Sequence, residues 1–432
     1  MTKTFFIETW GCQMNDLDSQ RLSGQLRLRG YRRVEDEAEA DLILLNTCSI
    51  RDKSEQKVFS RLGELREMKQ GRSLQIGVAG CVAQQEGQKI LKRAPWVDFV
   101  MGPGQVGELD LVLDGAQRVA TGFPEERHYD YLSIDRSSAT KAWVTIMEGC
   151  NKNCTFCIVP TTRGREISRP MEDILAEVAQ TVATGRVEIE LLGQTVNAYR
   201  CPVSGRDFGA LLRAVAEVPG VVRLRFMTSH PAEVGDSMIA AMRDHENISR
   251  YLHLPVQSGS SAVLRRMKRL YSRERYVDVI ARLRAAMPQI QFSADFIVGF
   301  PGESEDDFQQ TLSLIEEVRY GSLFAFKYSP RPGTPALKLG KAVDDAIASE
   351  RLTRLFELHE RIKRECLESY CGRVVPVLYE GPSRNNPAIL SGRTDDNVVV
   401  NFSGDLATPV GSMLGVRIDQ AQHHTLRGEA VA

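Results

Sequence analysis

No run of apolar residues in this 432-residue chain reaches the length needed to cross a bilayer, so the sequence predicts no membrane span. The opening residues, Met1 to Glu8, lack the apolar core of an export signal, and the expected compartment is the cytoplasm. Neither charge sign is in excess. Lys and Arg number 55 against 56 Asp and Glu, a formal net charge of −1, so a polyanion could be met only by local basic patches. Internal repeats and low-complexity tracts are missing as well. Nine cysteines, an odd number in a long chain without an export signal, argue against a disulfide framework and for reduced thiols that serve metal or catalysis. The rest is ordinary: 42% hydrophobic and 26% charged residues, enough for a sizeable core and about two to four domains.

What is present is a pattern in those cysteines. Three are tight, in Cys150-Asn-Lys-Asn-Cys154-Thr-Phe-Cys157. Three are dispersed, with Cys12, Cys48 and Cys81 each following an apolar, strand-like run at 4–9, 41–46 and 74–79. Helical stretches at about 16–28 and 53–69 separate these runs, which predicts a parallel, Rossmann-like α/β domain over 1–122. In open parallel sheets the carboxyl edge is where ligands bind, so three residues far apart in sequence are expected to converge.

Residues 123–141 read as a polar linker. From 142 to 368 alternation resumes, with strands near 143–148, 187–192, 222–227, 251–254, 291–298 and 323–328 and a long helix at about 344–366. Six βα units suit a partial (βα)6 barrel, whose rim would carry Cys150, Gln194, Ser229, His230, Gln257, Gly299 to Glu303 and Ser329 to Arg331. From 371 to 432 short β runs at 374–379, 387–391, 397–402 and 414–418, with a turn at Asp395 to Asn397, predict a small all-β barrel.

Three thiolates hold a cubane iron–sulfur cluster while leaving the fourth iron open to a reactive ligand. Two such sets imply a redox enzyme with two differently used clusters. The competing reading of Cys154-x2-Cys157 is a zinc knuckle, but no second pair or nearby His supplies the remaining ligands. Any one dispersed cysteine alone would be read as core filling; three at equivalent strand ends favour ligands. Cys201, Cys366 and Cys371 have no such setting and are read as structural, and His230 and His253 as satisfied polar residues.

The tight spacing matches radical S-adenosylmethionine enzymes, and the chain as a whole resembles their methylthiotransferase family. The residues that carry the resemblance are Thr9-Trp-Gly-Cys12-Gln-Met-Asn15, Asn46-Thr-Cys48-Ser-Ile-Arg51, Gly80-Cys81-Val-Ala-Gln84, Cys154-Thr-Phe-Cys157-Ile-Val-Pro160, Thr162-Arg-Gly-Arg-Glu166, Leu191-Leu-Gly-Gln194, His253-Leu-Pro-Val-Gln257-Ser-Gly-Ser260 and Ile297-Val-Gly-Phe-Pro-Gly-Glu303. Gln13 to Asn15 are those of the branch acting on prenylated adenosine in tRNA. Thr161 and Thr195 depart from the family pattern, in which an aromatic residue and Asn are common.

The resemblance implies a cluster domain, a radical barrel and a C-terminal TRAM domain, with two [4Fe-4S] clusters and S-adenosylmethionine as cofactors. The cluster on Cys150, Cys154 and Cys157 would cleave S-adenosylmethionine to a 5′-deoxyadenosyl radical. Phe156, Gln194, Gln257, Gly299, Gly302 and Glu303 would bind that cofactor. The cluster on Cys12, Cys48 and Cys81 would carry the sulfur, methylated by a second S-adenosylmethionine, to carbon 2 of the adenosine beside the anticodon. A low-potential donor such as flavodoxin or ferredoxin would supply electrons, and a monomer is expected.

For RNA, residues 265–275 carry six positive charges and one negative, Arg163 and Arg165 follow the cysteine loop, and Arg351, Arg354, Arg361, Lys363 and Arg364 lie on the long helix. Together with the C-terminal barrel they read as a phosphate track beside a base splayed into the barrel. Two other readings stand beside this one: methylthiolation of a ribosomal protein, and a non-catalytic iron–sulfur protein that binds RNA or senses redox state.

Overall fold

The strand Leu42–Thr47 is buried along its whole length, with Ile43 and Leu45 in one core and Leu42 and Leu44 in another. Burial on both faces is what a central parallel strand requires. The computed structural model describes residues 2–49, 54–124 and 129–431. In it this strand is third in a six-stranded parallel sheet, in the order 32–33, 4–9, 42–47, 75–80, 99–101 and 119–120. The helix Ser54–Lys69 covers one face with Val58, Leu62 and Leu65, and Gln13–Leu28 covers the other with Leu22 and Leu26. The three short strands at 32–33, 99–101 and 119–120 were not expected; at two or three residues each, they are too short for a periodic signal.

Residues 129–137 are no free linker, because they pack on the helix Gln13–Leu28. Gly24 makes room for them: a Cβ there would fall 1.4 Å from the Ser133 carbonyl oxygen. Ser23 Oγ donates to Asp135 at 2.6 Å, and Arg27 pairs with the same carboxylate at 3.3 Å. Residues 125–128, within the expected linker, and Ile50 and Arg51, within the second cysteine motif, lie outside the described residues.

The chain divides into two units, Met1–Ser137 with Glu148–Lys152 and Cys157–Ile167, and Ser138–Met147 with Asn153–Phe156 and Ser168–Ala432. In the second, six parallel strands form two three-stranded sheets, ordered 223–226, 188–192, 141–145 and 251–253, 291–298, 322–327. A parallel bridge between Leu224 and Ile248 links them. Ala142, Val144, Ile189, Leu191, Leu224, Phe226, Phe292 and Ala294 point toward the helices and form the largest core. The opposite, inner face is polar, with Lys141 and Trp143 both held on Glu190 at 2.8 Å.

The C-terminal barrel is closed, in the order 374–382, 390–394, 399–403, 425–431 and 413–421. Its closing strand, Thr425–Val431, was not expected: its inward face carries Leu426, Gly428 and Ala430, one large apolar residue and two small ones, so its apolar alternation is faint. Among the described residues no helix is long and apolar enough to cross a membrane.

Candidate active site: two cysteine triads

Each dispersed cysteine stands where its strand ends. Cys12 precedes the helix Gln13–Leu28, Cys48 follows Leu42–Thr47, and Cys81 opens the helix Cys81–Glu86 after Gln75–Gly80. The three strands are neighbours in the sheet, so the thiols share one carboxyl edge. Gly80 permits the closest approach: its φ is +90°, and a Cβ there would meet the Thr47 carbonyl oxygen at 2.3 Å.

Two asparagines that the sequence did not single out as site residues fix this edge. Asn15 is wholly buried, and its Nδ2 donates to Asn46 Oδ1 at 3.1 Å and to the Thr47 carbonyl at 3.2 Å. Its Oδ1 accepts from Cys12 Sγ at 3.5 Å. Hydrogen bonding to Cys48 is the largest influence on the Cys12 thiol, which sits at about 5 with help from the Arg163 charge and against burial. Burial pushes the Cys81 thiol up, opposed by the charge and hydrogen bond of Arg163.

Arg163 was expected to face RNA. Instead it is 4% exposed and pairs with Asp18 at 2.8 Å. Burial, aided by the Glu148 charge, pushes the Asp18 carboxyl up to about 6, with Arg163 pulling the other way. Arg21 extends the network to Glu148 at 3.4 Å and to Asp18 at 4.0 Å.

In the tight triad, backbone N–H groups point at two sulfurs: Lys152 N at Cys150 Sγ and Val159 N at Cys157 Sγ, both at 3.4 Å. The third, Cys154 Sγ, takes a hydrogen bond from Arg269 Nη1 at 3.5 Å. Gly149 has φ +76°, and a Cβ there would meet the Arg165 carbonyl oxygen at 2.0 Å, so this glycine admits a neighbouring backbone rather than only a cofactor. Among the described residues no three of His, Cys, Asp or Glu close on a single-ion site. A cubane does not need that, because each thiolate binds its own iron. A set of three thiols with N–H donors on the sulfurs fits such a cluster.

The barrel rim also fits a polar cofactor. Gln194 Oε1, Ser229 Oγ and Tyr328 Oη, each just past a strand end, are buried without a hydrogen-bond partner among the described residues. Thr228 and Gln257 adopt φ of 68° and 78°, conformations that non-glycine residues hold only when their surroundings impose them. Phe156 meets Phe300 edge-on at 6.4 Å, and Phe300 lies between the left-handed turns at Gly299 and Gly302. Glu303 is not open to a ligand in the simple way expected. Its Oε2 accepts from Gly299 N and from Arg351 Nη1, both at 2.7 Å, and so clamps the turn.

That clamp removes Arg351 from the expected phosphate track. Arg269 leaves it too, buried on Cys154, and Arg266, Arg273, Arg354 and Arg361 are held by Asp307, Glu317, Glu305 and Glu316. Sequence alone does not reveal partners so far apart along the chain. His230 caps a helical turn through Ala232 N at 3.2 Å, and His253 Nδ1 meets Ser293 Oγ at 2.8 Å. All nine cysteines are free; Cys201 is buried, whereas Cys371 is exposed rather than part of a core.

Comparison with known proteins agrees along the whole chain. Residues 4–102 match an uncharacterized protein family, UPF0004, residues 144–315 the Radical SAM superfamily, and residues 368–431 the TRAM domain. The radical SAM match implies one [4Fe-4S] cluster and S-adenosylmethionine as cofactors. Among solved structures, the radical S-adenosylmethionine methyltransferase TsrM of Kitasatospora setae shares the fold, with a TM-score of 0.56 at 13% identity over 78% of this chain and 77% of that one. Curated relatives are nearer. A tRNA-2-methylthio-N(6)-dimethylallyladenosine synthase of Alkalilimnicola ehrlichii is 48% identical over 99% of this chain and 98% of that protein. One of Stutzerimonas stutzeri is 46% identical over the full length of both. At that identity and coverage, the chain belongs to the family of tRNA-2-methylthio-N(6)-dimethylallyladenosine synthases.

Proposed function

We infer that this protein methylthiolates carbon 2 of N6-dimethylallyladenosine beside the anticodon of tRNA, at position 37, by radical chemistry. The observation that carries this reading is the second triad: Cys12, Cys48 and Cys81 share a strand edge in a chain that already has a radical SAM triad of its own. On this reading Cys150, Cys154 and Cys157 hold the radical-generating cluster, and Cys12, Cys48 and Cys81 hold the second. When bound, these groups with S-adenosylmethionine supply a hydrogen-abstracting radical and the sulfur to be inserted.

The chain's own residues do the placing. Glu303 and Arg351 fix the glycine turn, and Phe156 and Phe300 offer an apolar wall for the cofactor's adenine. Gln194, Ser229 and Tyr328 offer polar atoms to its sugar and amino-acid groups. Gln257, held in its unusual backbone conformation, stands on the same rim. Arg373, Arg384, Arg417 and Arg427, exposed in the C-terminal barrel and without an ion pair among the described residues, meet tRNA phosphates. A low-potential flavodoxin or ferredoxin delivers electrons to a cytoplasmic monomer.

The test is turnover with purified protein, S-adenosylmethionine, a reductant and tRNA carrying the prenylated base. The 2-methylthio nucleoside is the expected product. Cleavage of S-adenosylmethionine with no change in the tRNA would move the substrate elsewhere.

A further inference from the structure

One cation in the first unit faces the wrong way for any role on RNA. Arg163, six residues after Cys157, is 4% exposed and reaches the edge that carries Cys12 and Cys81. Its guanidinium is paired with Asp18 at 2.8 Å, and its charge acts on the thiols of both Cys81 and Cys12. Asp18 belongs to the helix that Cys12 precedes, and Arg21 of that helix pairs with Glu148, two residues before Cys150. Both flanks of the tight cysteine loop are therefore fastened to the helix that begins at a dispersed cysteine.

A buried charge is costly unless its partners repay it. Asp18, Glu148, Arg21 and Arg163 balance to zero among themselves, so three thiolates added to this edge would add uncompensated negative charge close to Arg163. Positive charge and N–H donors near a cluster favour its reduced form, which carries one more electron. The partial analogy within the molecule is Arg269, which stands on Cys154 in the same manner.

We propose that Arg163 is a positioning residue for the second cluster: anchored by Asp18, it donates to the Cys81 thiolate and raises the reduction potential of the cluster held by Cys12, Cys48 and Cys81. The proposal rests on the reading that this triad holds a cluster. The redox event is addition of one electron from the titrating reductant, with no bond made or broken.

The experiment uses the full chain with Cys150, Cys154 and Cys157 changed to Ala, reconstituted with iron and sulfide, so that only the second cluster reports. Iron content is measured first, and the potential is then titrated by electron paramagnetic resonance. Arg163→Met should lower the potential by about 60 mV, a tenfold shift in the one-electron equilibrium. Arg163→Lys, which keeps the charge, should restore most of it. Because Arg163→Met strands Asp18, the Asp18→Asn/Arg163→Met pair serves as the variant that keeps the interior neutral, and it should show a smaller drop, since loss of the Asp18 charge offsets part of the loss of Arg163. An unchanged potential in Arg163→Met at full iron content would overturn the role of Arg163 alone. Absence of iron from the triple-Ala parent would overturn the cluster reading and the proposal with it.

Discussion

Arg269 Nη1 stands 3.5 Å from Cys154 Sγ, while Nη2 of the same buried arginine donates to the Pro255 carbonyl at 2.7 Å. The Tyr271 hydroxyl, 2.9 Å from Nε, completes the cage, so the guanidinium has one fixed orientation. Residues that orient a metal ligand from behind are commonly worth about 10- to 100-fold in metal affinity or activity. Arg269→Met should therefore lower iron retention and S-adenosylmethionine cleavage by about that factor. Arg269→Lys should recover only part, because a lysine cannot bridge sulfur and carbonyl with a planar fork. Iron analysis beside a cleavage assay reads both.

The two triads separate by substitution. Cys154→Ala should abolish cleavage of S-adenosylmethionine and product together. Cys48→Ala should abolish the methylthio product while leaving some 5′-deoxyadenosine formation. Chromatography of 5′-deoxyadenosine and nucleosides from the same reaction distinguishes them. Methylthio product from either variant contradicts the role given to that triad.

Charges on the C-terminal barrel should govern tRNA affinity more than those on the long helix. Arg361 is already occupied by Glu316 at 2.9 Å, whereas Arg417 and Arg427 are exposed on adjacent strands. Replacing both with Gln should weaken binding and flatten its dependence on salt, by about 0.7 to 0.9 in logarithmic slope for each phosphate no longer neutralised. Arg361→Gln should change neither. Binding isotherms at several salt concentrations decide between them.

Asp396, which accepts a hydrogen bond from the Tyr370 hydroxyl, should make the C-terminal barrel more stable in mild acid. Burial pushes its carboxyl up to about 6 from the usual 3.8. A raised pKa means that the folded form binds the proton more tightly. The stabilising contribution is therefore complete below about pH 4 and is lost as the pH rises through about 6. Asp396→Asn should raise the melting temperature at pH 7 to 8 and remove this part of the pH dependence. A variant that melts lower at pH 8 would show that the carboxylate is needed ionised.

Much of this molecule is written in local patterns. The apolar runs ending at Cys12, Cys48 and Cys81 announce parallel strands, and the strand Gln291–Val298 has the bounds its sequence predicts. The six cysteines stand out by spacing and by placement, and the fold brings Cys12, Cys48 and Cys81 to one strand edge. What was not legible is burial of charge. Arg163, Arg269 and Arg351 look in sequence like any solvated arginine, and only the fold shows them on Asp18, Cys154 and Glu303. Asn15 was visible as a motif residue, but its hydrogen bonds to Asn46 and Thr47 span 31 and 32 positions. The closing strand Thr425–Val431 was hidden for a related reason, since its partners lie outside any local window.

The most direct test of the account is mass analysis of tRNA nucleosides from cells with and without the gene. The account predicts loss of 2-methylthio-N6-dimethylallyladenosine and accumulation of N6-dimethylallyladenosine when the gene is absent. It also predicts recovery on return of the intact gene but not of the Cys48→Ala form. An unchanged nucleoside profile would contradict it.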